Sequence, residues 1–174
     1  ITVPTIITRY QKEQTVTKLK KAYSSLSQTT ARAISDYGPI KTWEIGLEGD
    51  TEKTRFFLNK YLIPYLSVQK PPTTKEEGKW NSKFMYLNKE KHEYASTLLR
   101  FYLNDGTSIT SRTNTSSNGK SQIYLYIDIN GDKKPNKFGK DIFLFTYSLT
   151  QERVYPIGLS SSRDSILSNS NYQC

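Results

Sequence analysis

The chain has 174 residues, with 25 Lys and Arg against 16 Asp and Glu for a net charge of +9, and a single cysteine, Cys174. That length suits one domain (1–174) with a real core and is too short for two comfortable ones, while one cysteine excludes an internal disulfide and a zinc site built from thiols. The positive excess favours phosphate, anionic lipid or acidic partners without naming one, and thirteen Tyr against one Met put the packing on rings that can keep a polar edge wet.

The chain opens on the apolar residues ITVPTII, and no run approaches the roughly 20 apolar residues of a membrane helix. From Thr15 to Ile34, Val16, Leu19, Tyr23, Leu26, Ala33 and Ile34 recur at three- and four-residue steps, with Lys18, Lys20 and Lys21 falling elsewhere. This predicts an amphipathic stem helix over about 4–37, entered near Pro4 and closed around Asp36 to Gly38, whose apolar stripe packs on a sheet. At about 1.5 Å per residue, about thirty residues of it span roughly 45 Å, longer than a domain of this size needs, so one end is expected to project.

A second, short helix fits Thr51 to Leu66, capped by Asp50, with Phe56, Phe57, Tyr61, Leu62 and Tyr65 on its buried side and Pro64 disturbing the last turn. Gln69 to Lys79, with Pro71 and Pro72, reads as an exposed connection, so 38–95 forms a region of helix and loop. Strands follow over 96–157: Ser96 to Leu103, a turn at Asn104-Asp105-Gly106, Thr107 to Thr110, then the polar loop SRTNTSSNGK, Gln122 to Ile129, Ile142 to Leu149 and an edge at Val154 to Ile157. The tail occupies 158–174. Helices first and a meander of strands afterwards is the order of an α+β fold, with a long helix covering one face of a small antiparallel sheet.

His92 is the only histidine, which removes Ser-His, Cys-His and multi-histidine chemistry for lack of parts. Glu48 with Asp50 and Glu76 with Glu77 sit in polar segments, and no glycine-rich phosphate loop occurs. The expectation is a protein that is not an enzyme and has no small-molecule substrate. One dense cluster remains, DINGDKKPNKFGKDIF, where Asp128, Asn130, Asp132 and Asp141 offer oxygens in the manner of an acidic calcium loop. Yet Gly131 precedes Asp132, and Lys133, Lys134, Lys137 and Lys140 would repel a dication; turn use, with Asn and Asp bonding their own backbone, accounts for the same residues. The four lysines read either as solvated surface or as a contact for DNA or another anion.

The stretch ITVPTIITRYQKEQTVTKLKKAYSSLSQT resembles the part of a type IV pilin helix that leaves the membrane, and Pro4 resembles that family's helix-breaking proline. LNDGTSI, from Leu103, and DINGDKKPNKFGKDIF, from Asp128, are similar to prepilin-type proteins carrying the N-terminal cleavage and methylation signal, both type IV pilins and type II secretion pseudopilins. The resemblance implies a pilin-like fold, with a stem helix held in the inner membrane before assembly and in the filament core afterwards. It implies an extracytoplasmic, cell-surface or periplasmic subunit of a pilus or pseudopilus whose partners are copies of itself and sibling pilins, with Ile6, Ile7 and Tyr10 packing against neighbouring subunits. The leader, the processing site, the near-terminal acidic residue and most of the apolar half-helix of the family are not in this sequence, and family members continue past a cysteine like Cys174. A minor pilin tip subunit binding DNA or another ligand through its basic surface and a secreted calcium-binding module are the two alternatives.

Overall fold

Helix α1 (Val3–Tyr37) runs for 35 residues and ends where Gly38 takes φ +81°, a left-handed conformation that glycine adopts at little cost. The Gly38 N–H donates to the Ile34 carbonyl at 2.9 Å and closes the last turn. The computed structural model describes residues 3–158 apart from 88, 116, 118 and 120, and not the side chains of residues 3–5 and 7. Cys174 lies outside the described residues. Among those described, no helix is long and apolar enough to cross a membrane.

Burial along α1 starts late. Residues 8–14 are all exposed, and the first buried position is Ala22, followed by Leu26, Thr29, Thr30 and Ala33. These steps trace one stripe of a helix with 3.6 residues per turn. Threonine fits inside because its hydroxyl is satisfied locally: Thr30 Oγ1 donates to the Leu26 carbonyl at 2.7 Å.

Helix α2 (Thr51–Phe57) starts at Asp50, whose carboxylate accepts from Lys53 N–H at 3.0 Å. The chain then widens into a π turn, Leu58–Leu62, and tightens into a 3₁₀ turn, Ile63–Tyr65, that holds Pro64. The wide turn changes which residues face inward. Phe57, Leu58, Tyr61 and Leu62 are buried, whereas Phe56, expected on that side, is 45% exposed.

Six antiparallel strands form the main sheet: β1 (Val68–Thr73), β4 (Leu99–Leu103), β5 (Ser108–Thr115), β6 (Ser121–Asp128), β7 (Ile142–Ser148) and β8 (Arg153–Pro156), paired in that order. Strands β2 (Lys83–Met85) and β3 (Lys91–Glu93) make a separate hairpin preceded by a short helix, α3 (Lys75–Gly78). Because side chains alternate along each strand, the sheet carries two cores. Leu99, Phe101, Ile109, Ile123, Leu125, Ile127 and Tyr147 pack under α1 and the 51–65 segment. On the opposite face Tyr126, Ile142 and Leu144 pack with Trp80, Phe84, Tyr94 and Phe138 from the hairpin region and the 129–141 loop.

The expected architecture is corrected by this arrangement. The class is α+β, but the sheet is not small, its two faces are both covered, and short helical segments number more than one; the specific pilin-like fold, with a helix on one side and a single further helix, is not what is built. Two segments explain the difference. Gln69 to Lys79 is not an exposed connection: β1 takes the edge of the sheet, where Pro71 and Pro72 can lack N–H donors without breaking an interior ladder. The polar run after Thr110 continues β5 to Thr115, since Ser111 Oγ donates to the Leu99 carbonyl and Thr113 Oγ1 pairs with Thr54 Oγ1 at 3.0 Å, so that its interior-facing hydroxyls are satisfied.

Candidate functional site

Two regions stand apart from ordinary core and surface: the exposed first half of α1, and a polar cluster on the sheet face away from it. In α1, Ile6, Tyr10 and Val16 are 56%, 60% and 49% exposed. Ile7 lies in the same helix, its side chain outside those described. Of the residues expected to pack on the sheet, Leu26 and Ala33 are buried, Leu19 and Ile34 are partly buried against the core, and Tyr23 lies over Phe145 with ring centroids 5.9 Å apart while 39% exposed. Val16 does not join them, because packing of α1 against the core begins at Leu19 and full burial at Ala22. Below that point, Gln11, Gln14, Thr15 and Lys18 line a shallow pocket with Asn130, Pro135, Lys140 and Asp141, so the neck of the stem runs beside the 129–141 loop.

The polar cluster begins with Arg100, which alternation along β4 turns away from the apolar face and under α3 and the hairpin. Its side chain is 3% exposed and its guanidinium carbon sits 4.4 Å from the Trp80 ring centroid and 5.3 Å from that of Tyr94. The fork is filled by Thr110 Oγ1 at 2.7 Å, the Asn81 carbonyl at 3.1 Å and Asp132 Oδ1 at 2.7 Å. Tyr102, two residues along on the same face, donates to Asp132 Oδ2 at 2.7 Å. Burial first, and then this bond to a carboxylate, push the Tyr102 hydroxyl up to about 12.

Asp128 and Asp141 anchor the loop that covers this face. Asp141 Oδ2 accepts from Asn136 N–H at 2.9 Å and Asn130 Nδ2 at 3.2 Å, and Oδ1 accepts from Lys137 N–H at 2.6 Å. Asp128 accepts from Asn130 N–H at 3.1 Å and, with the Asn136 amide turned to satisfy both its ends, from Asn136 Nδ2 at 3.2 Å. Burial raises the Asp128 carboxyl to about 8, against the lowering effect of the Asn130 bond. Gly131 is required here: a Cβ at that position would stand 2.8 Å from the Gly106 carbonyl oxygen. The two motifs at Leu103 and Asp128 are therefore neighbours in space, touching at Gly106 and Gly131 and joined again where Ser108 faces Asp128 across paired strands.

The four residues expected for calcium are thus engaged among themselves and with other groups, Asp132 with Arg100 and Tyr102, and Asp141 with the Asn136 and Lys137 N–H groups and the Asn130 side-chain amide. Ser108 Oγ and Asn130 Oδ1 are buried without a hydrogen-bond partner. Among the described residues, no group of three or more His, Cys, Asp or Glu side chains is placed to hold a metal ion. Lys133, Lys134 and Lys140 are exposed on the outside of the loop, and Lys137 is half-buried with its carbonyl accepting from Lys140, Asp141 and Ile142. Reading the sequence missed Arg100, Trp80 and Tyr94 as partners; an arginine in the middle of an apolar strand, LRFYL, was the available signal.

A family model described as a family of unknown function (DUF6613) matches residues 5–159, and the chain belongs to that family. No curated protein and no solved structure matches it.

Proposed function

Taking the chain as a member of that family, we propose that it is a structural subunit of an extracytoplasmic filament of the type IV pilus or pseudopilus kind, acting by self-association rather than catalysis. The observation that carries the reading is the stem: a helix of 35 residues that lays its buried stripe on the head only from Ala22 onward and leaves Ile6, Tyr10 and Val16 in water. Exposed apolar side chains on a projecting helix are stabilised when like helices pack together and remove that area from water. The partners are then copies of this chain and related subunits, and the head supplies the outer surface.

Cysteine cross-linking tests the stem. Ile6→Cys and Tyr10→Cys, each in a Cys174→Ser background, should give dimers under mild oxidation whose yield rises with protein concentration, while a cysteine at exposed Leu47 on the head should not. Equal yields at all three positions, or none at the stem, would reject the proposal.

A calcium-binding module keeps one observation in its favour, the orphan oxygens of Ser108 and Asn130 beside Asp128. Against it stands the Arg100 guanidinium, 2.7 Å from Asp132, whose charge opposes a dication. Melting curves with calcium and with chelator decide it, since a ligand that binds only the folded state raises Tm; superimposable curves remove calcium from consideration.

A further inference from the structure

A groove of about 750 Å³ opens between the β2–β3 hairpin and the bend at Lys134 to Asn136. Its floor is apolar and ringed: Phe84, Met85, His92 and Pro135 line it. Phe84 and His92 are partners in the hairpin register, and their rings stack at 6.0 Å with an interplanar angle of 23°. Phe84 in turn packs edge-on against buried Phe138 at 5.3 Å. The Tyr86 ring stands against His92 from the side, 4.2 Å away at 57°, so His92 is the half-exposed end of a ring cluster fixed from below by the second core.

The rim is cationic. Lys83, Lys91 and Lys134 line the groove, and their ammonium groups make no hydrogen bond or ion pair among the described residues. Two carboxylates temper this charge. Glu93 also lines the groove; its bonds to Ser82 and to Lys75, the latter at 3.0 Å, together with the charge of Lys83, hold it below the usual carboxylate range. Glu90 lies 3.7 Å from His92 Nε2. Lys133 and Lys137 extend the positive surface along the loop behind Lys134.

We propose that this groove binds single-stranded nucleic acid, with phosphates along the lysine rim and a base laid on the His92–Phe84 stack. A cationic track combined with a ring platform is the arrangement that holds unpaired strands without regard to sequence. A duplex keeps its bases stacked inside and would leave the ringed floor unused, and an acidic polysaccharide offers charge without flat rings.

Fluorescence anisotropy with a labelled oligothymidylate of about twelve residues tests it on the whole chain. Three phosphate contacts predict a slope near −2 in log affinity against log salt, a loss of roughly twentyfold between about 50 and 200 mM. The triple variant Lys83→Gln, Lys91→Gln, Lys134→Gln should lose at least tenfold, and His92→Ala about tenfold for the oligothymidylate with no loss for heparin. Circular dichroism checks that these surface variants keep the native fold, and Tyr10→Asp on the stem should leave affinity unchanged. The proposal is overturned if the oligothymidylate fails to bind at about 50 mM salt, if the triple variant binds as the parent does, or if His92→Ala weakens heparin equally, which would assign the groove to polyanions in general.

Discussion

The two faces of the sheet are closed by different chemistry. Under α1 and the 51–65 segment the contacts are Phe, Leu, Ile and Tyr side chains excluded from water, with hydroxyls such as those of Thr30 and Thr54 tied to near neighbours. Under the hairpin the cover is held by an arginine between two rings and by three aspartates that fasten a lysine-rich loop. The first face depends on volume and responds to cavities. The second depends on donors and acceptors staying matched, and so responds to charge and to pH.

The largest effect expected is on the first face. Phe101 is fully buried, and Phe101→Ala should lower stability by about 3–5 kcal/mol in urea unfolding; a loss below about 1.5 kcal/mol would mean that the helix-side core yields readily, and the contrast would weaken. Next comes Arg100→Met, which keeps an unbranched stem between Trp80 and Tyr94 but strands Thr110 and Asp132. About 2 kcal/mol should be lost, whereas a neutral or stabilising result would show that packing alone closes the second face, as can happen when a buried ion is replaced by an apolar side chain.

The pH dependence sharpens the comparison further. The folded state holds Asp128 protonated up to about pH 8, while in the unfolded chain an aspartate ionises near 3.9. The unfolded state therefore releases a proton first as pH rises. Stability from this group is fully present below about pH 4 and declines across the window to about pH 8, by up to about 1.4 kcal/mol per pH unit. Thermal melts of Asp128→Asn should show that decline removed and a higher Tm than the parent at pH 8. An identical pH profile in the two proteins would place the titration elsewhere. The smallest effect belongs to the capping box of α3, where Thr74 Oγ1 accepts from Glu77 N–H and Glu77 returns a bond to Thr74 N–H at 2.8 Å. Thr74→Ala should cost about 1 kcal/mol, and less if the hairpin holds α3 without it.

What the sequence made legible follows the same division. The steps from Leu26 to Ala33, the Asp50 cap, the turn at Asn104 to Gly106 and the β-branched and aromatic runs from Gln122 and Ile142 all carry a local signal, and helix, cap, turn and strands lie there. What failed has no local cause. β1 is a strand because β4 offers it an edge, not because VQKPPT favours one. Phe84, Tyr94 and Trp80 belong to a core only once Tyr126 and Leu144 supply its other wall, and three-residue strands are too short to show a period. Arg100 has no charged partner close in sequence, and only the fold brings Asp132, 32 residues on, beside it. The candidate residues Asp128 to Asp141 were found as a group, but their division between separate partners depends on Gly131 meeting Gly106, a long-range contact.

The prolines at the sheet margins bear on how copies of this chain meet. Pro71 and Pro72 sit in one outermost strand and Pro156 in the other, so neither border presents an unbroken row of amide hydrogens. Recruitment of a foreign strand, the usual route from an open sheet to runaway amyloid-like stacking, is blunted at both margins. In a filament of the kind proposed above, strand-to-strand fusion between heads would be disfavoured and contact between copies would fall to the stems.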